Sequence, residues 1–265
     1  MALPITLFAV STSPEIILVL INIAAFLLGQ RRGVRLSIGA VRTLTPTAKE
    51  IIFSTKTPLR FLPGQYLEVH LPQVKPDSRG TRRSFSIIGI PGKTDVSIGV
   101  KFPEKPSSFK RTLAELQQGT ILTATRVSGD FVLPKDPSKP LLFVAGGIGI
   151  TPFVSHIRSL RAKGESRDII LLYAVSSSEE LAYIQDFIAA DVKVVVVSAN
   201  INQKIEGVHY SNAPYVTGDV LKDAVVDVSS RYAYVSGPPL MVDVVAQELK
   251  KAGAGHVKCD YFSGY

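Results

Sequence analysis

The clearest chemistry in this chain lies in the run Gly146-Gly147-Ile148-Gly149-Ile150-Thr151-Pro152. An apolar run over 140–145 precedes it. Phe153, Ile157 and Leu160 follow at helical spacing. Strand, glycine turn and helix together lay free backbone N–H groups against a pyrophosphate. Glycine lets the backbone approach where a Cβ would hold a ligand away, and it accepts positive φ. The spacing departs from the usual Gly-x-Gly-x-x-Gly fingerprint. A second loop, Ser236-Gly237-Pro238-Pro239-Leu240-Met241, follows another apolar strand. Ligands collect at such carboxyl ends in parallel sheets.

The first half holds a different set. In Arg83-Ser84-Phe85-Ser86, Phe85 offers an aromatic face to a flat ring system, and Ser86 offers a short donor to its polar edge. Arg83 offers a guanidinium fork to a phosphate. Pro106-Ser107-Ser108 opens a short helix, where free N–H groups and hydroxyls suit an anion and also suit a plain N-cap. Lys110 and Arg111 read as a solvated face. The single cysteine, Cys259, excludes a disulfide, a four-cysteine cluster or a structural zinc site within the chain. Its apolar strand marks it as core. His70, His156, His209 and His256 show no metal-ligand spacing and read as surface or turn residues, so no metal is expected.

Three stretches occur in fixed order ahead of the glycine turn. They are Leu62-Pro63-Gly64-Gln65-Tyr66-Leu67, Arg82-Arg83-Ser84-Phe85-Ser86-Ile87 and Ser128-Gly129-Asp130-Phe131-Val132-Leu133-Pro134. With the Gly-Gly-x-Gly-x-Thr-Pro turn, the chain resembles the ferredoxin–NADP reductase superfamily from about Val34 to its last residue. The resemblance implies FAD held by Tyr66, Arg83, Ser84, Phe85, Ser86, Val100, Lys101, Ser107 and Ser108. It implies NADH or NADPH held by Gly146, Gly147, Gly149, Thr151, Pro152, Gly237, Pro238 and Met241, with Thr151 and Pro152 at the nicotinamide end. The catalytic positions it implies are Ser86, beside the flavin N5, and Ser236, where the family commonly carries cysteine. Phe262 or Tyr265 would lie over the isoalloxazine and move to admit nicotinamide. Glu179 and Glu180, with no cation in 176–178 or 199–202, favour NADH, although Lys204 is close.

These residues need elements to position them. Short apolar runs broken by Pro and Gly predict strands at 35–43, 50–54, 66–71, 83–87, 95–100 and 121–126, the pattern of an antiparallel barrel. From residue 140 onward, strands at 140–145, 169–175, 193–198, 231–236 and 256–261 alternate with helices at 153–162, 178–189, 219–226 and 239–252. Such alternation predicts a parallel sheet covered on both faces. The expected fold is a β-barrel flavin-binding domain at 34–137, then an α/β parallel-sheet NAD(P)-binding domain at 138–265. An N-terminal membrane helix at 1–33 is expected before them.

That helix rests on the uncharged run 16–29, opened by Ser13-Pro14-Glu15 and followed by Arg31-Arg32. Positive charge after the run places the following domains on the cytoplasmic side, membrane-anchored. The competing reading is a buried helix of a globular protein. Charge is uneven: 18 basic and 9 acidic residues up to Ser138, 12 and 13 beyond it. No basic block is interleaved with aromatics, so nucleic acid is a poor partner. The expected function is transfer of hydride from NAD(P)H to FAD, with electrons passed to an acceptor protein or a membrane redox domain. Two alternatives are a non-catalytic nucleotide-binding sensor or assembly subunit, and a reductase of free flavin or ferric chelates.

Overall fold

The computed structural model describes residues 13–30, 33–71, 77, 79–125 and 127–263. Helix α1 (Pro14–Gln30) starts where Pro14 and Glu15 predict, and its described residues up to Ala24 are exposed. The membrane anchor is nevertheless overturned. Among the described residues no helix is long and apolar enough to cross a membrane. At about 1.5 Å per residue, the 17 residues of α1 rise about 25 Å, short of a ~30 Å hydrocarbon core. The cytoplasmic, membrane-bound placement built on that helix falls with it.

The first sheet comprises β1 (Val34–Thr43), β2 (Ala48–Ser54), β3 (Tyr66–His70), β4 (Arg82–Ser86), β5 (Ile88–Gly89), β6 (Asp95–Lys101) and β7 (Ile121–Ala124). Its order is β4-β3-β7-β1-β2-β6-β5, antiparallel throughout. Only Ile87 separates the two edge strands in the chain, so the sheet curls into a half-barrel instead of lying flat. A register shift between Ile38 and Ala40 adds to the bend. Leu36, Ile38, Ile51, Phe53, Leu67, Val69 and Ile98 fill the concave side. Helix α2 (Ser108–Glu115) adds Phe109 and Leu113, four residues apart on one face.

The second sheet comprises β8 (Leu141–Gly146), β9 (Ile169–Ala174), β10 (Lys193–Val197), β11 (Val208–Ser211), β12 (Tyr232–Gly237) and β13 (His256–Tyr261). Its order is β11-β10-β9-β8-β12-β13, all parallel. Alternation along β8 divides the core. Leu141, Phe143 and Ala145 pack with Phe153 and Ile157 of α3 (Thr151–Lys163), whereas Leu142 and Val144 pack with Val242 and Val245 of α6 (Pro239–Lys251). The order reverses between β8 and β12, which is where ligands bind in open α/β sheets.

The short strand β5 was not expected, and two elements of the second half also differ from expectation. The helix at 178–189 is broken into a 3-10 turn and α4 (Ile184–Ile188). Tyr183, at φ 59, sits in the left-handed region and cannot continue the helix. Strand β11 was not expected. It gains its place by pairing with β10, and α5 (Gly218–Ala224) follows it.

Candidate functional site

The three motifs of the first half converge on Tyr66. Strands β3 and β4 pair with Tyr66 opposite Ser86, and Tyr66 also bridges Ser128. Gln65 fastens the turns: Leu62 N–H donates to its Oε1 at 2.8 Å, and its Nε2 donates to Gly129 O at 2.9 Å. Gly64, at φ 88, must be glycine, because a Cβ there would strike the Phe131 carbonyl and the His156 ring.

Phe131 is the bolt between the halves. It is 4% exposed, 5.5 Å from the Phe153 ring and edge-on to Tyr234 at 5.2 Å. Burying such a ring contributes about 2–3 kcal/mol. His156 lies in the same cluster, 1% exposed, which corrects its reading as a surface histidine. Burial pushes its pKa down to about 3.

A cavity of about 530 Å³ lies where the half-barrel meets the carboxyl edge of β13, a size usual for small-molecule sites. Tyr66, Arg83, Ser84, Phe85, Ser86, Val100, Lys101 and Phe262 all line it. Phe262 is held by its N–H donating to Gly237 O at 2.9 Å, whereas Tyr265 lies outside the described residues. Ser86 is 4% exposed. The Phe85 ring lies 6.1 Å from Phe109, and the Arg83 guanidinium lies 5.1 Å from the Phe109 ring.

The Arg83 fork is engaged. Its Nη2 meets both Asp77 oxygens at 2.6 and 2.5 Å, and its Nη1 donates to the Arg79, Gly80 and Arg82 carbonyls. Ser107 behaves as an N-cap: its side chain accepts from Lys110 N–H at 3.3 Å. Neither Ser107 nor Ser108 reaches the cavity wall, but Phe109 and Lys110 do. Lys110 therefore lines the cavity instead of joining a solvated face. Burial first, then Arg79, Lys101 and Arg83, bring its pKa down to about 8. Five cations thus line the cavity, with Arg79, Arg83 and Lys101 close about Lys110 at its cationic end and Arg82 beside them. Helical spacing marked Phe109 and Leu113 as core, but gave no sign that Lys110 turns inward.

The β13 edge supplies Cys259 and Asp260 to the cavity. Burial pushes the Cys259 thiol up, which keeps it protonated and a poor nucleophile. Burial pushes Asp260 up to about 6, and sequence reasoning missed this carboxyl. A lone acid in an apolar strand end is the only signal it leaves.

The remaining expected residues gather at the topological switch. Ser236 pairs with Ala145, so the Gly146 turn and the Ser236–Met241 loop emerge side by side. Gly147 takes φ 51, as the turn requires. Gly146 and Gly149 are packed closely against the neighbouring loop. A Cβ on Gly146 would strike Met241 and Pro238, and one on Gly149 would lie 2.5 Å from Ser236 O. Pro152 starts α3. The hydroxyls of Thr151 and Ser236 are buried without a hydrogen-bond partner. Of the glycine turn, Ile148 alone reaches the large cavity. The glycine turn therefore adjoins the cavity and, Ile148 apart, does not line it.

The residues fit a flavin dinucleotide and a nicotinamide nucleotide. The cavity joins aromatic walls to a cationic end, and orphaned hydroxyls sit at the switch point. The family model for the oxidoreductase NAD-binding domain matches residues 143–247. The chain is 28% identical over 231 residues to the toluate 1,2-dioxygenase electron transfer component of Pseudomonas putida, covering 84% of this chain and 65% of that protein. It is 25% identical over 201 residues to the flavohemoprotein of Oceanobacillus iheyensis, covering 72% of this chain and 48% of that protein. The chain thus spans about half to two thirds of the length of these relatives. Among solved structures, the Amycolatopsis cytochrome P450 reductase GcoB superposes with TM-score 0.73 at 21% identity, over 87% of this chain and 70% of that one. A ferredoxin NADP+ reductase from Neisseria gonorrhoeae with bound FAD and NADP superposes with TM-score 0.70 at 20% identity, over 87% and 98%. Fold, motif geometry and comparisons agree: the chain carries an oxidoreductase NAD-binding domain over residues 143–247 and as a whole is similar to the ferredoxin–NADP reductase superfamily of FAD- and NAD(P)-binding oxidoreductases.

Proposed function

We propose that this chain is an FAD-dependent NAD(P)H oxidoreductase that passes electrons to a protein acceptor, as an electron transfer component does for a dioxygenase. Bound flavin and nicotinamide would supply hydride uptake and the release of electrons one at a time, which is chemistry of the cofactors. The chain's own work is binding and orientation. Arg83, Lys101 and Lys110 neutralise the diphosphate at the cationic end. Tyr66, Phe85 and Phe262 enclose the ring system, and Ser86 presents its hydroxyl to the polar edge. Ser84 and Val100 complete the wall. Ser107 and Ser108 act by starting α2. Gly146, Gly147, Gly149, Thr151, Pro152, Gly237, Pro238 and Met241 form the nicotinamide half-site, with the Ser236 hydroxyl as an orienting donor. Asp260 is a titratable acid of the cavity wall that gains its proton just below neutral pH, at about 6. The domain division is 34–137 for flavin and 138–265 for nicotinamide.

The observation that carries this reading is the convergence of the three motifs beside one cationic, aromatic-walled cavity that adjoins the switch point. NADH is the favoured donor. Glu179 accepts from Asn202 at 3.3 Å, the Lys204 ammonium sits 5.9 Å from the Tyr210 ring, and the stretches 176–178 and 199–202 hold no Lys or Arg for a 2′-phosphate. The test is FAD-dependent NADH oxidation with a one-electron acceptor such as ferricyanide. Turnover that needs both FAD and the acceptor supports the proposal. Absence of turnover in FAD-saturated protein rejects it.

A further inference from the structure

Hydride transfer depends steeply on the separation and alignment of donor and acceptor. The two half-sites lie on different sheets, so something must fix that separation. Gly99 of β6 stands in the wall of the large cavity. A Cβ there would lie 2.6 Å from Thr151 Cγ2, 3.1 Å from Ile148 Cδ1 and 3.2 Å from the Tyr183 hydroxyl. The flavin-side strand therefore bears directly on the glycine turn, through a residue with no side chain.

A buried polar clamp lies behind this contact. Glu50 of β2 pairs in register with Gly99 and is 3% exposed. It accepts from Ser97 Oγ at 2.6 Å and from Arg158 Nη1, of α3, at 3.4 Å. Arg158 also grips both oxygens of Asp186 in α4, at 2.7 and 3.0 Å. Its guanidinium lies 5.4 Å from the Tyr183 ring. Tyr183 holds a left-handed backbone, a strain that persists only where surroundings enforce it. A second bridge runs from the Thr45 and Thr47 hydroxyls to Glu180 Oε2, at 3.2 and 2.5 Å. Glu50 and Arg158 belong to no cofactor motif and do not line the cavity.

We propose that Gly99 and Arg158 are positioning residues for hydride transfer: the Arg158 clamp closes β6 onto the glycine turn, and Gly99 is the contact that sets the separation of the two half-sites. This rests on the flavin and nicotinamide reading above. Gly99→Ala forces a methyl group into the contact. Arg158→Lys keeps the charge but cannot make the two-nitrogen grip on Asp186.

The full chain, loaded with FAD, is mixed anaerobically with saturating NADH and flavin bleaching is followed by stopped flow. The expected result is a rate lower by about 10–100-fold in both variants, at parental FAD and NADH affinities. Amide exchange by mass spectrometry on the FAD-free chain supplies a second readout. In Arg158→Lys, exchange should quicken in 95–101 and 147–152 and stay unchanged in 193–197. Unaltered bleaching rates overturn the proposal, as do losses that merely track cofactor affinity. Should Gly99→Ala not fold, Arg158→Lys decides alone. Should the parent chain itself fail to bleach, the flavin reading has failed, and the exchange pattern still decides the clamp.

Discussion

His156 offers a sharp test of how the two halves are joined. Its ring lies 6.3 Å from Phe131, 6.0 Å from Phe143 and 6.4 Å from Tyr234, and its Nε2 is buried without a partner. Burial pushes its pKa from 6.5 down to about 3. The unfolded chain therefore binds a proton that the folded chain refuses. Stability is fully present above pH 6.5 and is lost as pH falls through the window toward 3. Between about pH 7 and pH 5 the loss is about 2 kcal/mol, since each pH step over which the unfolded chain holds one extra proton costs about 1.4 kcal/mol. His156→Leu removes the group but keeps an apolar filler. Urea unfolding of parent and variant at those two pH values gives the comparison. Any constant packing penalty cancels, because only the change with pH is read. The parent should lose about 2 kcal/mol more than the variant on acidification. Equal losses would refute the claim that this imidazole is buried neutral in the seam.

Asp260 carries the opposite sign. Its pKa is raised to about 6, so its contribution is fully present below the unfolded value of 3.8 and is lost as pH rises through 6. Asp260→Asn should be the more stable form by about 1–2 kcal/mol at pH 8, and by less at pH 5, in the same unfolding assay. Lys110 loses its proton near 8. FAD affinity should therefore weaken from pH 7 to 9 in the parent and stay flat in Lys110→Met, as read by quenching of FAD fluorescence. Arg83→Gln should weaken FAD binding by about 10–100-fold, the worth of a charge-assisted hydrogen bond. Gly149→Ala places a Cβ 2.5 Å from Ser236 O and should cost about 1–3 kcal/mol by thermal unfolding, with or without nucleotide.

The parts of this site that are legible in the sequence are those in which backbone does the work. The glycine turn, the Pro63-Gly64-Gln65-Tyr66 turn and the strand carrying Arg83 to Ser86 depend on local conformation, so residue types betray them. The parallel alternation is equally local, whereas the order reversal between β8 and β12 shows only in the fold. What escaped the sequence depends on tertiary contact. Strand β11 has only four residues and exists through its pairing with β10. The break falls at Tyr183, beside the Arg158 guanidinium, where no glycine or proline marks it. His156 and Arg158 sit two residues apart on α3 and meet opposite fates, apolar burial and ion pairing. Lys110 and Asp260 face the cavity because other elements wrap round them. The glycines of the turn were legible as glycines, but their reason was not. They admit Met241, Pro238 and Ser236 from a neighbouring loop. The apolar run of α1 misled for a simpler reason: lack of charge marks a helix that water disfavours, while spanning also needs length.

The most direct measurement of the central claim is anaerobic titration of the FAD-loaded full chain with NADH, followed at the flavin band near ~450 nm. The protein should be yellow and should bleach completely at about one NADH per flavin, because a hydride carries two electrons. A chain that does not retain FAD, or one whose flavin stays oxidised under excess NADH and NADPH, would contradict it.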